Sequence, residues 1–435
     1  VSGYWIETLG CAKNTVDSDR IAASFEVRGV KEALSVEEAT TVVVNTCAFI
    51  DAAREESIAA ILDLADRKGP GSKLIVTGCM AERYGEELAE ALEEVDHVAG
   101  FNVDIGGVGS VALGHTISRQ RFLSPADENV PAMDLLNYRG RGRKQTYSYV
   151  KVAEGCNRHC GFCVIPQFRG RQVSRDYGAI LDEVESLSSP EVVLIAQDLA
   201  SYGIDRYGRR RLAELYRDVA ARSSWVRLLY LYPTGVTSEL VEAICESAVP
   251  YVDLSLQHVS GPLLRRMRRV GSPERILARI AEIRTASPGA ALRSSFIVGY
   301  PGETEEDQQR LLDFLEEAQL DWVGFFPFSP EEGSYALGLD GQVPRSLALD
   351  RLNEASDLQE RILRVRQADQ VGRTLTVLVD EPFLGRSYRE APEIDGVIHL
   401  DEEAEVGSFV EVEIVGATGP DLNAKVLSFA ARKLG

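Results

Sequence analysis

The stretch Cys156-Asn-Arg-His-Cys160-Gly-Phe-Cys163 follows an apolar, strand-like run from Tyr147 to Ala153, and its reading decides the fold. Three thiolates at CxxxCxxC spacing can ligate three irons of a 4Fe-4S cube and leave the fourth open to a ligand that the chain does not supply. A structural zinc site would recruit a fourth protein ligand, and His159 sits between the cysteines, where its ring is poorly placed to close the same tetrahedron. His159 is therefore expected to face solvent or to back the ligands rather than join them.

Outward from this motif, residues 147–370 hold six strand-like runs: Tyr147 to Ala153, Val192 to Ala196, Val226 to Tyr232, Val252 to Leu256, Ala291 to Val298 and Trp322 to Phe328. Helix-like segments with an apolar stripe near 3.6 spacing lie between them, among them Tyr177 to Leu187, Ser238 to Ser247, Pro273 to Thr285 and Glu305 to Ala318. Six βα units fit a curved, incomplete parallel barrel, an incomplete (βα)6 barrel, whose chemistry sits at the strand carboxyl ends.

Residues 1–135 are α/β in pattern as well. The apolar runs Tyr4 to Leu9, Thr41 to Asn45 and Lys73 to Thr77 are followed by Cys11, Cys47 and Cys79, each leading into a helix-like segment. Such alternation implies a parallel sheet, whose post-strand loops open on one edge. Cysteines 36 and 32 residues apart would thus converge there. By themselves the three thiols are compatible with a second cluster, with zinc or with plain burial.

Residues 136–146 are rich in Gly and Arg without periodicity, which suits a solvated linker, an RNA-binding tract being the sharper alternative. Residues 371–435 change character: Thr374 to Val379, Asp395 to His399, Phe409 to Val415 and Ala424 to Phe429 are short and β-branched-rich, as in a small antiparallel β-barrel. This part carries 12 acidic and 6 basic residues, which does not favour a nucleic-acid grip.

The composition agrees. The 435 residues make about three domains at roughly 150 each. With 45% hydrophobic and 26% charged residues the chain is neither disordered nor coiled-coil in type. A formal charge of -20, from 47 basic and 67 acidic residues, favours a basic partner. Seven cysteines are too few for a disulfide scaffold and odd in number, so metal binding or catalysis is expected in a reducing compartment. No run of ~18 apolar residues and no basic-then-apolar N-terminal pattern is present, so a cytoplasmic location is expected, with no membrane.

The spacing of Cys156, Cys160 and Cys163, with Phe162 just before the third cysteine, resembles the radical S-adenosylmethionine (SAM) superfamily. In that superfamily SAM chelates the open iron, and reductive cleavage gives a 5'-deoxyadenosyl radical able to take hydrogen from an unactivated C-H bond. Gly10-Cys11-Ala12-Lys13-Asn14, Asn45-Thr46-Cys47 and Thr77-Gly78-Cys79-Met80 narrow the resemblance to the radical SAM methylthiotransferases, over essentially the whole chain. The resemblance implies that Cys11, Cys47 and Cys79 hold an auxiliary 4Fe-4S cluster carrying the sulfur to be inserted. It also implies two 4Fe-4S clusters, two SAM consumed (one as methyl donor, one as radical source), a TRAM-like C-terminal barrel, and no catalytic residues beyond the cluster ligands. An electron donor such as flavodoxin or ferredoxin is expected, and the sulfur donor is not legible. Family SAM contacts at the barrel rim suggest Phe162, Gln197 and Gly299, although turn geometry alone could require Gly299.

Within the family, Cys47-Ala-Phe-Ile-Asp-Ala-Ala-Arg-Glu-Glu-Ser57, Phe328-Ser-Pro-Glu-Glu-Gly-Ser334 and Glu390-Ala-Pro-Glu-Ile-Asp-Gly396 resemble the RimO branch. That branch methylthiolates the β-carbon of an aspartate in ribosomal protein S-twelve, a basic protein suited to an acidic barrel. The alternative is a modified adenosine in transfer RNA, which the same charge disfavours; an iron-sulfur electron carrier would need neither six βα units nor an open iron. Two departures from the branch pattern, Leu199-Ala200 and Gly161, replace no cysteine and are expected to bear on rim contacts only. Cys245 is expected as a small buried apolar residue on a helix, and His97, His115, His258 and His399 as structural. Gly106, Gly107 and Gly109, with the loop 69–73, read as turns, not as a phosphate cradle.

Overall fold

The computed structural model describes residues 3–111, 122–127, 130–141 and 145–429, which cluster into two compact units. The first comprises Val1–Gly142 with Val164–Gly170. Its sheet runs Lys31–Glu32, Gly3–Thr8, Thr41–Thr46, Lys73–Gly78, His97–Ala99, Phe122–Leu123, every pair parallel. Side chains alternate faces along a strand, so Val42, Val44, Leu74 and Val76 pack on Ile61, Leu64 and Leu88, while Val43 and Ile75 pack on Ile21, Phe25 and Ile105. Both faces are covered, which is why these strands are continuous apolar runs rather than alternating ones.

Gly106 and Gly107 lie in the helix Ile105–Val111, not in a turn. A Cβ on Gly106 would fall 2.4 Å from Ser24 Oγ, so glycine here lets this helix close on the helix Ala12–Glu26. Within the segment expected as a linker, the Arg141 side chain is tied down: its guanidinium donates to Tyr4 Oη at 3.0 Å and Glu32 Oε2 at 2.5 Å. Residues 142–144 of that segment, and His115, lie outside the described residues.

The second unit, Arg143–Cys163 with Arg171–Gly435, contains the six barrel strands in chain order. Tyr147–Lys151, Glu191–Ile195 and Trp225–Leu228 form one parallel triplet, and Tyr251–Gln257, Ala291–Val298 and Trp322–Pro327 the other, joined by a parallel bridge of Leu231 to Leu254. The third strand ends at Leu228, earlier than expected, because Tyr230 turns to φ +63° and donates its N-H to Asp253 Oδ2 at 2.9 Å. Helices Tyr177–Ser186, Ser238–Cys245, Pro273–Ala286 and Glu305–Ala318 occupy the expected positions.

The C-terminal strands close into a five-stranded barrel around Val377, Val379, Ile398, Val410, Val412 and Ile414. One pair, Ile398–Leu400 with Asp421–Phe429, is parallel in this otherwise antiparallel ring, and a short strand Leu384–Arg386 completes it. The loop from Arg386 to Asp395 brings its charges to the amino ends of the (βα)6 strands. Glu191 binds Arg227 at 2.8 Å and Arg386 at 2.6 Å; Asp321 binds Arg389 at 2.6 Å; Asp395 accepts from Tyr251 Oη at 2.6 Å and faces Arg293 at 3.3 Å. All are buried, so removing one partner would cost on the order of 3–5 kcal/mol. Asp395 of the motif Glu390–Gly396 thus holds the loop against the barrel floor, away from the carboxyl edge, while Glu390 accepts from Ser387 N-H and Oγ within the loop itself.

Candidate functional site: two cysteine trios

In the first unit, parallel register sets Thr8 beside Asn45, Asn45 beside Thr77, and Thr46 beside Gly78. Cys47 and Cys79 therefore leave adjoining strands at the same level, and Cys11 caps the helix Ala12–Glu26 after the neighbouring strand. Asn14 ties the three exits together: its Nδ2 donates to Leu9 O at 2.8 Å and Thr46 O at 3.0 Å, and its Oδ1 accepts from Cys79 Sγ at 3.7 Å. Ser57 Oγ accepts from Cys47 N-H at 3.1 Å.

Glycines let the chain pass close to the thiols. Gly10 takes φ +93°, and a Cβ there would lie 2.7 Å from Cys47 Cβ; Gly78, at φ +92°, would place one 2.3 Å from Asn45 Oδ1. Cys47 and Cys79 are buried and Cys11 is exposed. Burial pushes the Cys47 thiol up to about 12, and the neighbouring Cys79 and Cys11 push the same way. Burial also raises Cys79, against the opposing pull of Arg169. Burial thus outweighs Arg169 and favours the neutral thiols, and a metal centre would supply what ionises them.

Arg169 was not singled out by sequence reasoning, although it belongs to this pocket. It lies in the Val164–Gly170 stretch of the same unit, and its Nη2 is 3.1 Å from both Cys79 Sγ and Asn14 Oδ1. Nothing in the sequence spacing links residue 169 to residues 14 and 79; only the fold does.

In the second unit Cys156, Cys160 and Cys163 share one loop, each half-buried, and His159 is exposed as expected. Arg158 N-H donates to Cys156 Sγ at 3.3 Å, and Cys163 N-H to Cys160 O at 3.1 Å. Gly161 is clamped on both sides, donating to Met267 O and accepting from Ala336 N-H, each at 2.8 Å. A side chain there would meet Tyr300 Oη at 2.5 Å, which accounts for glycine at this departure from the branch pattern. Leu199 and Ala200 are buried in the barrel core, so the other departure is packing and not an exposed rim contact.

Arg269 Nη1 donates to Cys160 Sγ at 3.3 Å, and the Arg269 and Arg158 guanidinium carbons lie 4.2 and 3.9 Å from the Tyr232 ring centre. Burial pushes Cys156 up to about 11, partly offset by the Arg158 N-H. Phe162 packs on Leu263, Leu264, Met267 and Tyr300. Gln197 donates to Glu154 Oε1, while its own Oε1 is buried without a hydrogen-bond partner. Gly299, at φ +76°, would drive a Cβ to 2.4 Å from Ala348 Cβ, so packing and conformation already require glycine there.

Among the described residues no set of three His, Cys, Asp or Glu side chains is placed to share one metal ion. The donor sets are of the kind that an iron-sulfur cube takes: three sulfurs each, brought to adjoining strand exits in the first trio and to one loop in the second, with an arginine donating to one sulfur of each. The remaining candidates are structural. His258 is buried, with Nδ1 accepting from Ser260 N-H at 3.0 Å; His97 is a buried strand residue, and His399 is exposed on the small barrel. Cys245 is half-buried against the core rather than fully buried.

Known proteins point the same way. The profile described as Uncharacterized protein family UPF0004 matches residues 3–100, the Radical SAM superfamily residues 150–315, and the TRAM domain residues 371–427. "Ribosomal protein uS12 methylthiotransferase RimO" of Moorella thermoacetica is 41% identical over 94% of this chain and 95% of its own. The proteins of the same name from Cutibacterium acnes and Carboxydothermus hydrogenoformans are 39% and 36% identical, covering 96% and 98% of this chain and 96% and 99% of theirs. Among solved structures, the radical SAM methyltransferase TsrM of Kitasatospora setae superposes with TM-score 0.53 at 16% identity, over 74% of this chain and 72% of that one, a likeness of fold. Near-full-length similarity at this level, on a chain with an incomplete parallel barrel and a cysteine-bearing parallel domain, establishes that the chain belongs to the RimO family of radical SAM methylthiotransferases.

Proposed function

We propose that the chain replaces a β-carbon hydrogen of an aspartyl residue in ribosomal protein uS12 with a methylthio group, consuming two SAM. The observation that carries this reading is the 36–41% identity to relatives bearing that name, over nearly the whole chain. Charge supports it: the C-terminal part has 12 acidic and 6 basic residues, a surface that attracts a basic ribosomal protein and repels transfer RNA.

In this reading Cys156, Cys160 and Cys163 hold the SAM-binding 4Fe-4S cluster, and Cys11, Cys47 and Cys79 hold an auxiliary one. When bound, the first supplies the electron that splits the SAM sulfonium, giving a carbon radical able to abstract hydrogen from an unactivated C-H bond. The chain's own part is to hold and to shield. The clamp on Gly161 fixes the ligand loop, and Arg269 offsets negative charge at Cys160. Gln197 Oε1 is an open acceptor for SAM, Phe162 a wall, and Gly299 a contact through its backbone alone. Residues 1–135 form the auxiliary-cluster domain, 136–146 the linker, 147–370 the radical SAM domain and 371–435 the TRAM-like barrel. A flavodoxin or ferredoxin supplies electrons, in the cytoplasm; among the described residues no helix is long and apolar enough to cross a membrane.

The test is mass spectrometry of uS12 from a strain lacking this gene. A loss of about 46 Da, methylthio for hydrogen, is expected. Unchanged uS12 together with loss of methylthio-adenosine from transfer RNA would replace this reading with the other branch.

A further inference from the structure

Arg169 follows Cys163 by six residues in the chain and packs into the first unit. Its side chain is 4% exposed, and its Nη1 meets Asp17 Oδ2 at 3.1 Å, the carboxylate being equally hidden. Its Nη2 edge points at Asn14 Oδ1 and Cys79 Sγ, both at 3.1 Å, and its guanidinium carbon lies 4.1 Å from the Phe101 ring centre. Asp17 alone would satisfy the charge from one edge. The second edge is spent on a sulfur, and a neutral thiol rewards a guanidinium poorly, whereas a ligating thiolate accepts a charge-assisted bond.

We propose that Arg169 is a positioning residue of the auxiliary cluster, donating to the sulfur of Cys79 and raising the reduction potential of the cluster that this sulfur ligates. The proposal rests on the reading that Cys11, Cys47 and Cys79 hold a cluster. A fixed cation and an N-H···S bond beside a coordinating sulfur favour the more negative, reduced state. The planar fork explains why arginine stands here: it reaches Asp17, Asn14 and Cys79 together, whereas a lysine ammonium would act as a single point charge. Arg169 and Asn14 both locate Cys79, so the same contacts that set its charge also fix its direction.

The experiment uses the full chain with Cys156, Cys160 and Cys163 changed to alanine, so that only the auxiliary site can load. The parent and its Arg169→Gln and Arg169→Lys forms are reconstituted anaerobically with iron and sulfide and titrated by EPR at controlled potential. The ratio of reduced to oxidised cluster at the parent's midpoint is expected to fall about tenfold in Arg169→Gln, equivalent to about 59 mV for one electron. Arg169→Lys should recover part of that shift. Loss of iron from Arg169→Gln with a lowered midpoint in Arg169→Lys would also support the role. Loaded variants with the parent's midpoint would overturn it and leave the cluster reading standing, since a purely structural Asp17 partner would not move the potential. A parent that takes up no iron would overturn the cluster reading itself, and this proposal with it.

Discussion

The two cysteine trios reach similar ends by different means. Cys156, Cys160 and Cys163 lie in one loop, held by a local bond from Cys163 N-H to Cys160 O and by the clamp of Met267 and Ala336 on Gly161, whereas Cys11, Cys47 and Cys79 come from three strand exits that are aligned only once the sheet has its register. Each trio has an arginine donating to one sulfur, Arg269 to Cys160 and Arg169 to Cys79. The local trio is kept together by its eight-residue span and needs tertiary contacts only to clamp the loop, while the distant one needs its sheet formed before its cysteines are neighbours at all. Their sensitivities to mutation should differ accordingly.

The largest effect comes from removing a sulfur. Cys160→Ala should abolish both 5'-deoxyadenosine formation and methylthio product. Cys79→Ala should abolish the product yet keep SAM cleavage and about four of roughly eight irons. Iron analysis and chromatography of 5'-deoxyadenosine separate the two, and a Cys79→Ala protein unable to cleave SAM would break the division of labour between the trios.

A smaller effect tests the dependence on sheet register. Gly78 occupies φ +92°, ψ -162°, a region essentially confined to glycine, and an added Cβ would stand 2.5–2.6 Å from the backbone of Thr46. Backbone there has no room to yield. Gly78→Ala should destabilise the first unit by about 3–5 kcal/mol and lower its iron content, leaving SAM cleavage in the second unit intact. Thermal unfolding with iron analysis measures both; an unchanged first transition would mean that the strand exits tolerate displacement.

This contrast also decides what the sequence could reveal. The local trio is legible from spacing alone, and the helix Glu305–Ala318 falls at its expected bounds because Thr304 and Asp307 form a capping box. The distant trio needed the additional inference of a parallel sheet. Arg169 was out of reach, since its partners are set by tertiary structure. The helix Arg345–Ala368 has no counterpart among the sequence expectations: its buried face carries Ala348, Ala355, Leu358 and Ile362 but interleaves them with Arg351, Gln359 and Gln367, which hydrogen-bond to carbonyls of Glu303, Leu320 and Pro420, so the apolar stripe is broken by buried polar residues. The strand Leu384–Arg386 is three residues long and contains a glycine, too short for a period of two to show.

The smallest effect sharpens the local side of the comparison. A methyl group at Gly161 would sit 2.5 Å from Tyr300 Oη, 3.2 Å from Tyr335 Cδ1 and 3.4 Å from Arg266 O, so the tightest obstacle is one hydroxyl. That hydroxyl donates to Arg266 O at 3.2 Å and sits at the end of a buried ring. Gly161→Ala should cost about 1–3 kcal/mol, as overpacking does. Tyr300→Phe gives up one hydrogen bond worth about 1 kcal/mol but removes the obstructing atom. The double variant should therefore be more stable than the sum of the singles implies, with a coupling of about 1 kcal/mol measured by denaturant unfolding. Strict additivity would place the constraint in Tyr335 or the Arg266 backbone instead, making the ligand loop's fit a property of its surroundings rather than of one removable contact.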